Sequence, residues 1–139
     1  MDMPTIRDCR VLQLPKVTDP KGNLTFIEGG CHVPFPSRRI FYIYDVPTEE
    51  SRGAHAHRTL EQFLICLSGS FQVQVDDGAS KEIHRLNRPW SGLYIPPTIW
   101  AAETRFDSGS VCLSLASELY DEGDYIRDYG EFLRFRGLR

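Results

Sequence analysis

The chain has 139 residues, a formal net charge of -3 and 25% charged residues, the size of one domain with enough length to bury a core without cross-links. The slightly acidic balance supplies no global basic field for DNA or RNA, so no nucleic acid is expected as a partner. The longest unbroken apolar run is FLICL at 63–67, far short of the roughly 20 residues of a spanning helix, so no membrane partner is expected either.

Cys9, Cys31, Cys66 and Cys112 show no CxxC spacing, and no signal-peptide pattern accompanies them. Reduced thiols in a soluble, cytoplasmic protein of one domain (1–139) are the expectation.

From about 10 to 117 the chain reads as short β-like segments: RVLQL, NLTFI, RIFYIYD, QFLICL, FQVQVD, GLYIP and VCLSLA. They are rich in β-branched and aromatic residues and lack helical periodicity. Turn chemistry separates them: DPKG at 19–22, the region of Pro34 and Pro36, TEESRG, SGS at 68–70, DDG at 76–78 and NRP at 87–89. DDG after FQVQV is a hairpin signal. Many short strands in a small domain predict an all-β barrel or sandwich rather than βαβ units. On RIFYIYD, Tyr42 and Tyr44 share one face, where a phenol can hydrogen-bond or stack.

Then comes GAHAHR at 53–58. In an extended strand residues two apart point the same way, so His55 and His57 enter the same space. With an ordinary pKa near 6.5, two imidazoles on one wall suit a metal or a proton transfer. His32, in a Gly and Pro loop, and His84, in a charged segment, read as surface residues. Past Tyr120, residues Tyr125, Ile126, Tyr129, Phe132 and Leu133 recur at spacings of three and four, which predicts one amphipathic helix over about 121–135. Asp121, Glu122 and Asp124 lie near its expected start, where the helix dipole favours negative charge.

The stretch HAHRTLEQFLICLSG resembles the first motif of the cupins, small jelly-roll β-barrels, with Gln62 where the family places its Glu ligand and Gly69 closing the hairpin. PPTIWAAE resembles the second motif, with Ala101 at the position of the last histidine. Two imidazoles, an amide and an alanine make a poor site for zinc or iron. The histidine pair without a metal is therefore the expected site, with no cofactor.

A closer resemblance covers nearly the whole chain. RRIFYIYDVPTEESRGAHAHRTLEQFLICLSGS, GLYIPPTIW and SELYDEGDYIRDY are similar to the sugar 3,4-ketoisomerases, cupin enzymes acting on dTDP-4-keto-6-deoxyglucose. The most specific parts are RGAHAH with LEQ, and YDEGDYIR. The resemblance implies a dTDP-sugar substrate and transfer of a keto group from C4 to C3, making the precursor of a 3-amino-3,6-dideoxy sugar for surface polysaccharide or a glycosylated natural product. His55 and His57 would move the protons. Arg52 and Lys21 would neutralise the pyrophosphate, Tyr42, Tyr44 and Gln62 would contact substrate, and Arg127 would be delivered by the C-terminal helix.

Two positions depart from that pattern: the family carries a polar residue such as His or Arg where this chain has Ala101, and Arg or Tyr in place of Lys21. The first leaves the C4 configuration of the product open. Small cupins commonly pair, and RVLQL is a natural strand to lend to a neighbour, so a homodimer is expected. The competing readings are a cupin epimerase exchanging protons at C3 and C5, and a sugar-binding cupin without chemistry.

Overall fold

The computed structural model describes residues 2–138. Twelve strands are laid down in chain order: β1 (Arg10–Gln13), β2 (Lys16–Asp19), β3 (Gly22–Thr25), β4 (Arg39–Tyr44), β5 (Arg52–His57), β6 (Gln62–Ser68), β7 (Phe71–Asp76), β8 (Lys81–Leu86), β9 (Ser91–Ile95), β10 (Trp100–Thr104), β11 (Val111–Ala116) and β12 (Tyr125–Ile126), followed by the helix α1 (Tyr129–Phe135). One antiparallel sheet runs β1-β9-β6-β11-β4 and the other β12-β5-β10-β7-β8, while β2 and β3 form a separate hairpin. The all-β expectation holds, with one difference. The two five-stranded sheets share no ladder that would close them into a barrel, so the architecture is a jelly-roll-like sandwich.

The alternating pattern of β7 shows why. Phe71, Val73 and Val75 are buried and point at the facing sheet, where Leu64, Cys66, Cys112, Leu93 and Ile95 meet them. β6 reads as a continuous apolar run because it is covered on both faces. Leu64 and Cys66 pack between the sheets, whereas Phe63 and Ile65 pack outside under Leu14, Val33 and Phe35. The DDG signal is a real hairpin between β7 and β8: Asp76 accepts from the Gly78 N–H at 2.7 Å and Asp77 from the Ala79 and Ser80 N–H groups. All four cysteines are free.

The predicted helix over 121–135 is corrected. Only residues Tyr129–Phe135 are α-helical; Glu122–Asp124 form a 3-10 turn capped by Asp121, and β12 pairs with β5, Tyr125 opposite His57 and Ile126 opposite Ala56. The periodic residues mislead because Ile126 and Phe132 bury in one cluster with Ala56, against Trp100, Tyr129, Leu133 and Phe135. A strand that completes a sheet edge and a helix that covers it present apolar residues at helical spacing without forming one helix. Asp128 starts α1 by accepting from the Glu131 N–H at 2.9 Å, and Gly130 lies in its first turn. Within the chain, β1 of the RVLQL segment pairs with β9. His32 and His84 are half-buried rather than fully exposed. Among the described residues no helix is long and apolar enough to cross a membrane.

Phe132 is fully buried between Trp100 and Tyr129, so Phe132→Ala leaves a cavity that α1 cannot collapse into. Chemical denaturation should show a loss of about 3–5 kcal/mol. A loss below about 1 kcal/mol would mean that this cluster does not hold the C-terminal segment on β5.

Candidate active site

β5 directs both histidines inward, as two-residue spacing requires. His57 is buried and His55 half-buried; their rings lie 4.9 Å apart at 87°. Tyr125, brought alongside by the β12–β5 pairing, packs its ring 4.8 Å from His55 and 4.4 Å from His57. The rings of His55 and Tyr125 line a cavity of about 530 Å³ together with Arg52, Gln62, Glu103 and Arg127, and Phe41 and Ile43 from β4, while His57 packs against both rings and does not itself line it.

Asp124 is the anchor of these rings. Its carboxylate accepts from the Thr59 N–H (2.8 Å), the Thr59 hydroxyl (2.8 Å) and the Leu60 N–H (3.2 Å), and lies 3.2 Å from His57 Nδ1. An ionised carboxylate only accepts, so His57 carries its proton on Nδ1 and leaves Nε2 with a free lone pair. Burial pushes His57 below the usual imidazole value, with Asp124 opposing. Burial, the neighbouring His57 and Arg127 lower His55 to about 4. Both imidazoles are therefore neutral near pH 7 and able to accept a proton.

The sequence-derived residues divide. His55, Arg52, Gln62 and Arg127 line the cavity, and Tyr42 reaches its rim, although its side of β4 faces outward and it is 61% exposed. Tyr44, on the same outward face, packs against Tyr42 and does not line the cavity. Lys21 lies in the turn of the β2–β3 hairpin, its N–H donating to Asp19, outside the cavity of its own chain. Ala101 faces inward directly opposite His55, but is absorbed into the core. Arg127 comes from the residue after β12 rather than from the helix, and Glu122 holds its guanidinium through two hydrogen bonds at 2.8 and 2.9 Å.

Three site residues escaped the sequence reading. Asp124 looked like a helix-start acid and Tyr125 like one apolar residue of the helix; the dense YDEGDYIR block was the signal, but only the β12–β5 pairing gives it meaning. Glu103, buried on β10 with its acid pushed up to about 7, was legible only as part of a strand alternating Ala101, Ala102, Glu103.

The residues present do not suit a metal. At the ligand positions of the cupin pattern stand His55, His57, Gln62 and Ala101, and Ala101 offers no donor atom.

Asp124→Asn replaces an acceptor by a side chain that can also donate. The ring of His57 is then expected to change tautomer or lose its fixed orientation, seen as a shift of its 15N signals away from the Nδ1–H pattern with the fold retained. Unchanged His57 signals would separate Asp124 from control of that ring.

Comparison with known proteins identifies the family. The FdtA family, described as WxcM-like, C-terminal, matches residues 7–137. TDP-4-oxo-6-deoxy-alpha-D-glucose-3,4-oxoisomerase of Aneurinibacillus thermoaerophilus is 43% identical over 126 residues, 91% of each chain. The sugar 3,4-ketoisomerase QdtA of Thermoanaerobacterium thermosaccharolyticum, solved with TDP, superposes with a TM-score of 0.91 at 40% identity, covering 93% of this chain and 94% of that one. The TDP-quinovose 3,4-ketoisomerase WlaRB of Campylobacter jejuni gives 0.88 at 44% identity, with 92% and 98% covered. With likeness along almost its full length, the chain belongs to the cupin-fold sugar 3,4-ketoisomerase family.

Proposed function

We propose that this isomerase converts dTDP-4-keto-6-deoxyglucose into a dTDP-3-keto-6-deoxyhexose by histidine acid-base chemistry, without a metal or organic cofactor. The observation that carries this reading is the pair His55 and His57, neutral and in ring contact, with His55 lining the cavity and the tautomer of His57 fixed by Asp124.

The C3 hydrogen of the substrate is acidified by the adjacent C4 carbonyl. A neutral imidazole takes that proton, the electron pair moves into the C3–C4 bond and the carbonyl oxygen is protonated, giving an enediol. Protonation at C4 and loss of the proton on O3 then leave the ketone at C3. His57 is the stronger base of the two, because the Asp124 carboxylate stabilises its protonated form. His55, lining the cavity, passes protons between the sugar oxygens. Each well-placed transfer is worth roughly a hundred- to ten-thousand-fold in rate.

Arg52 and Arg127 present positive charge at the cavity for the pyrophosphate, Gln62 offers an amide to a sugar hydroxyl, and Tyr42 at the rim offers a ring to the base. The enzyme acts in the cytoplasm, where nucleotide sugars are made, and its product feeds a 3-amino-3,6-dideoxy sugar.

The working form is a homodimer. Every residue of β2 and most of β3 are exposed, including the apolar Val17 and Leu24, and a two-stranded hairpin alone is marginally stable in water. Apolar Ile40 and Leu67 are also exposed on the first sheet, so a second copy supplies cover. Lys21 at the hairpin turn meets pyrophosphate only in the cavity of the partner. Light scattering at micromolar concentration should give the mass of two chains; a single-chain mass sinks the dimer.

In deuterated water the enzyme should turn dTDP-4-keto-6-deoxyglucose into a 3-keto product labelled at C4, with activity intact after chelation. Label at C3 and C5 with the ketone still at C4 would favour an epimerase, and no exchange on dTDP, UDP or GDP 4-keto sugars would favour a binding module. His55→Asn and His57→Asn should each lower turnover a hundredfold or more with TDP binding kept.

The pH profile follows from the lowered pKa of His55. Folded His55 stays neutral until about pH 4, whereas the unfolded imidazole protonates near 6.5, so the shift leaves stability unchanged well above 6.5 and opposes folding increasingly as pH falls from 6.5 toward 4. Turnover should persist below pH 6, and stability should decline across that same window. An acid limb of turnover at 6.5 or above would contradict a buried, neutral His55.

A further inference from the structure

Besides His55 the cavity is lined by a buried carboxylic acid to which the proton transfers of the histidines assign no part. Glu103 is 6% exposed, lies on β10 two residues beyond Ala101 on the same inward face, and lines the cavity with His55 and Gln62. The backbone is shaped around it. Gly53, at φ +71°, passes so close that a Cβ there would collide with the Glu103 carboxyl, placing that carbon 3.0 Å from Cδ. Only glycine both adopts this conformation readily and leaves that space.

An ionised carboxylate so enclosed requires a counter-ion or several donors. Among the described residues no side chain donates a hydrogen bond to it; the facing cation is Arg52, an exposed residue opposite it in the β5–β10 register. Two residues back along the strand, opposite His55, Ala101 brings no functional group to the site.

We propose that Glu103 is the acid that delivers the proton to C4 of the enediol, the role left empty by Ala101. The inference rests on the isomerase reading above. In balance, an imidazole takes the C3 proton and O4 is protonated. The Glu103 carboxyl then gives its proton to C4 as the C3–C4 double bond supplies the electron pair, O3 gives up its proton to an imidazole, and the ketone stands at C3. Glu103, now a carboxylate, regains a proton from the imidazolium or from water, so no other reactant is consumed. Burial raises its pKa to about 7, against the pull of Arg52, which leaves a large protonated fraction at neutral pH.

The groups facing Glu103 bear on its titration. They are Arg52 and His55 from β5, Arg127 following β12, and Cys112 from β11, whose thiol burial keeps protonated; Gln62 of β6, Phe41 and Ile43 of β4, and Val73 of β7 do not titrate. Of these only His55 titrates in the same region, on the acid side.

The test compares wild type with Glu103→Gln, which keeps the shape and removes the acid, in deuterated water on dTDP-4-keto-6-deoxyglucose. Two rates are followed by NMR: exchange of the C3 hydrogen in recovered substrate, and appearance of the 3-keto product. Glu103→Gln should slow product formation about a hundredfold or more while C3 exchange stays within a few-fold of wild type. TDP binding should be retained, and the fall of wild-type kcat above pH 7 should be absent from the variant. If the buried amide prevents folding, Glu103→Met, apolar and of similar length, must show the same split. Product formation near the wild-type rate in a folded variant overturns the proposal, as does equal loss of exchange and product, which would place Glu103 in binding or deprotonation. A wild type that neither exchanges nor isomerises 4-keto sugars overturns the isomerase reading and this one together, whereas an active wild type with an indifferent Glu103 overturns this one alone.

Discussion

The hydrogen-bonded carboxylate of Asp124 is the contact on which the site depends. It joins the turn before β12 to the loop after β5 through the Thr59 and Leu60 N–H groups and the Thr59 hydroxyl, and it faces His57 Nδ1. One side chain thereby secures the C-terminal segment to the sandwich, places the ring of Tyr125 against both imidazoles and selects the tautomer of His57. Local folding and site chemistry are here the same set of bonds.

Around that anchor, low polarity decides the protonation states. Burial is the largest influence on His55, His57 and Glu103, and it acts in opposite senses: it disfavours the imidazolium and disfavours the carboxylate. The same enclosure therefore yields neutral bases beside a partly protonated acid. Positive charge is kept to the margin of the cavity, where Arg52 and Arg127 remain exposed to solvent. Glu122 restrains Arg127 in that position, and the guanidinium lies 4.3 Å above the Tyr125 ring, so the cation is oriented by the same short segment that carries Asp124.

The sandwich explains the unequal roles of the residues on β4. Phe41 and Ile43 face inward and line the cavity, while Tyr42 and Tyr44 share the outward face. Period-two alternation predicts that the tyrosines go together, but it does not say to which side. That sign is set by pairing with β11, where Phe41 lies opposite the buried Ser114 and Ile43 opposite the buried Cys112.

By itself the sequence determined what is local or patterned. Alternating apolar segments specified strands, DDG specified a hairpin, two-residue spacing put His55 and His57 on one face, and the motifs around them identified the family. Each follows from backbone geometry or from a contiguous string of residues. What only the tertiary structure decided depends on which segments meet: that the periodic tail splits into β12 and a short α1, that Asp124 and Tyr125 belong to the histidine wall, that Lys21 lies outside its own cavity, and that Glu103 lies inside it. Asp124 is 67 residues from His57 and Glu103 is 50 from Gly53. No local rule links residues so far apart; packing β5 between β10 and β12 does.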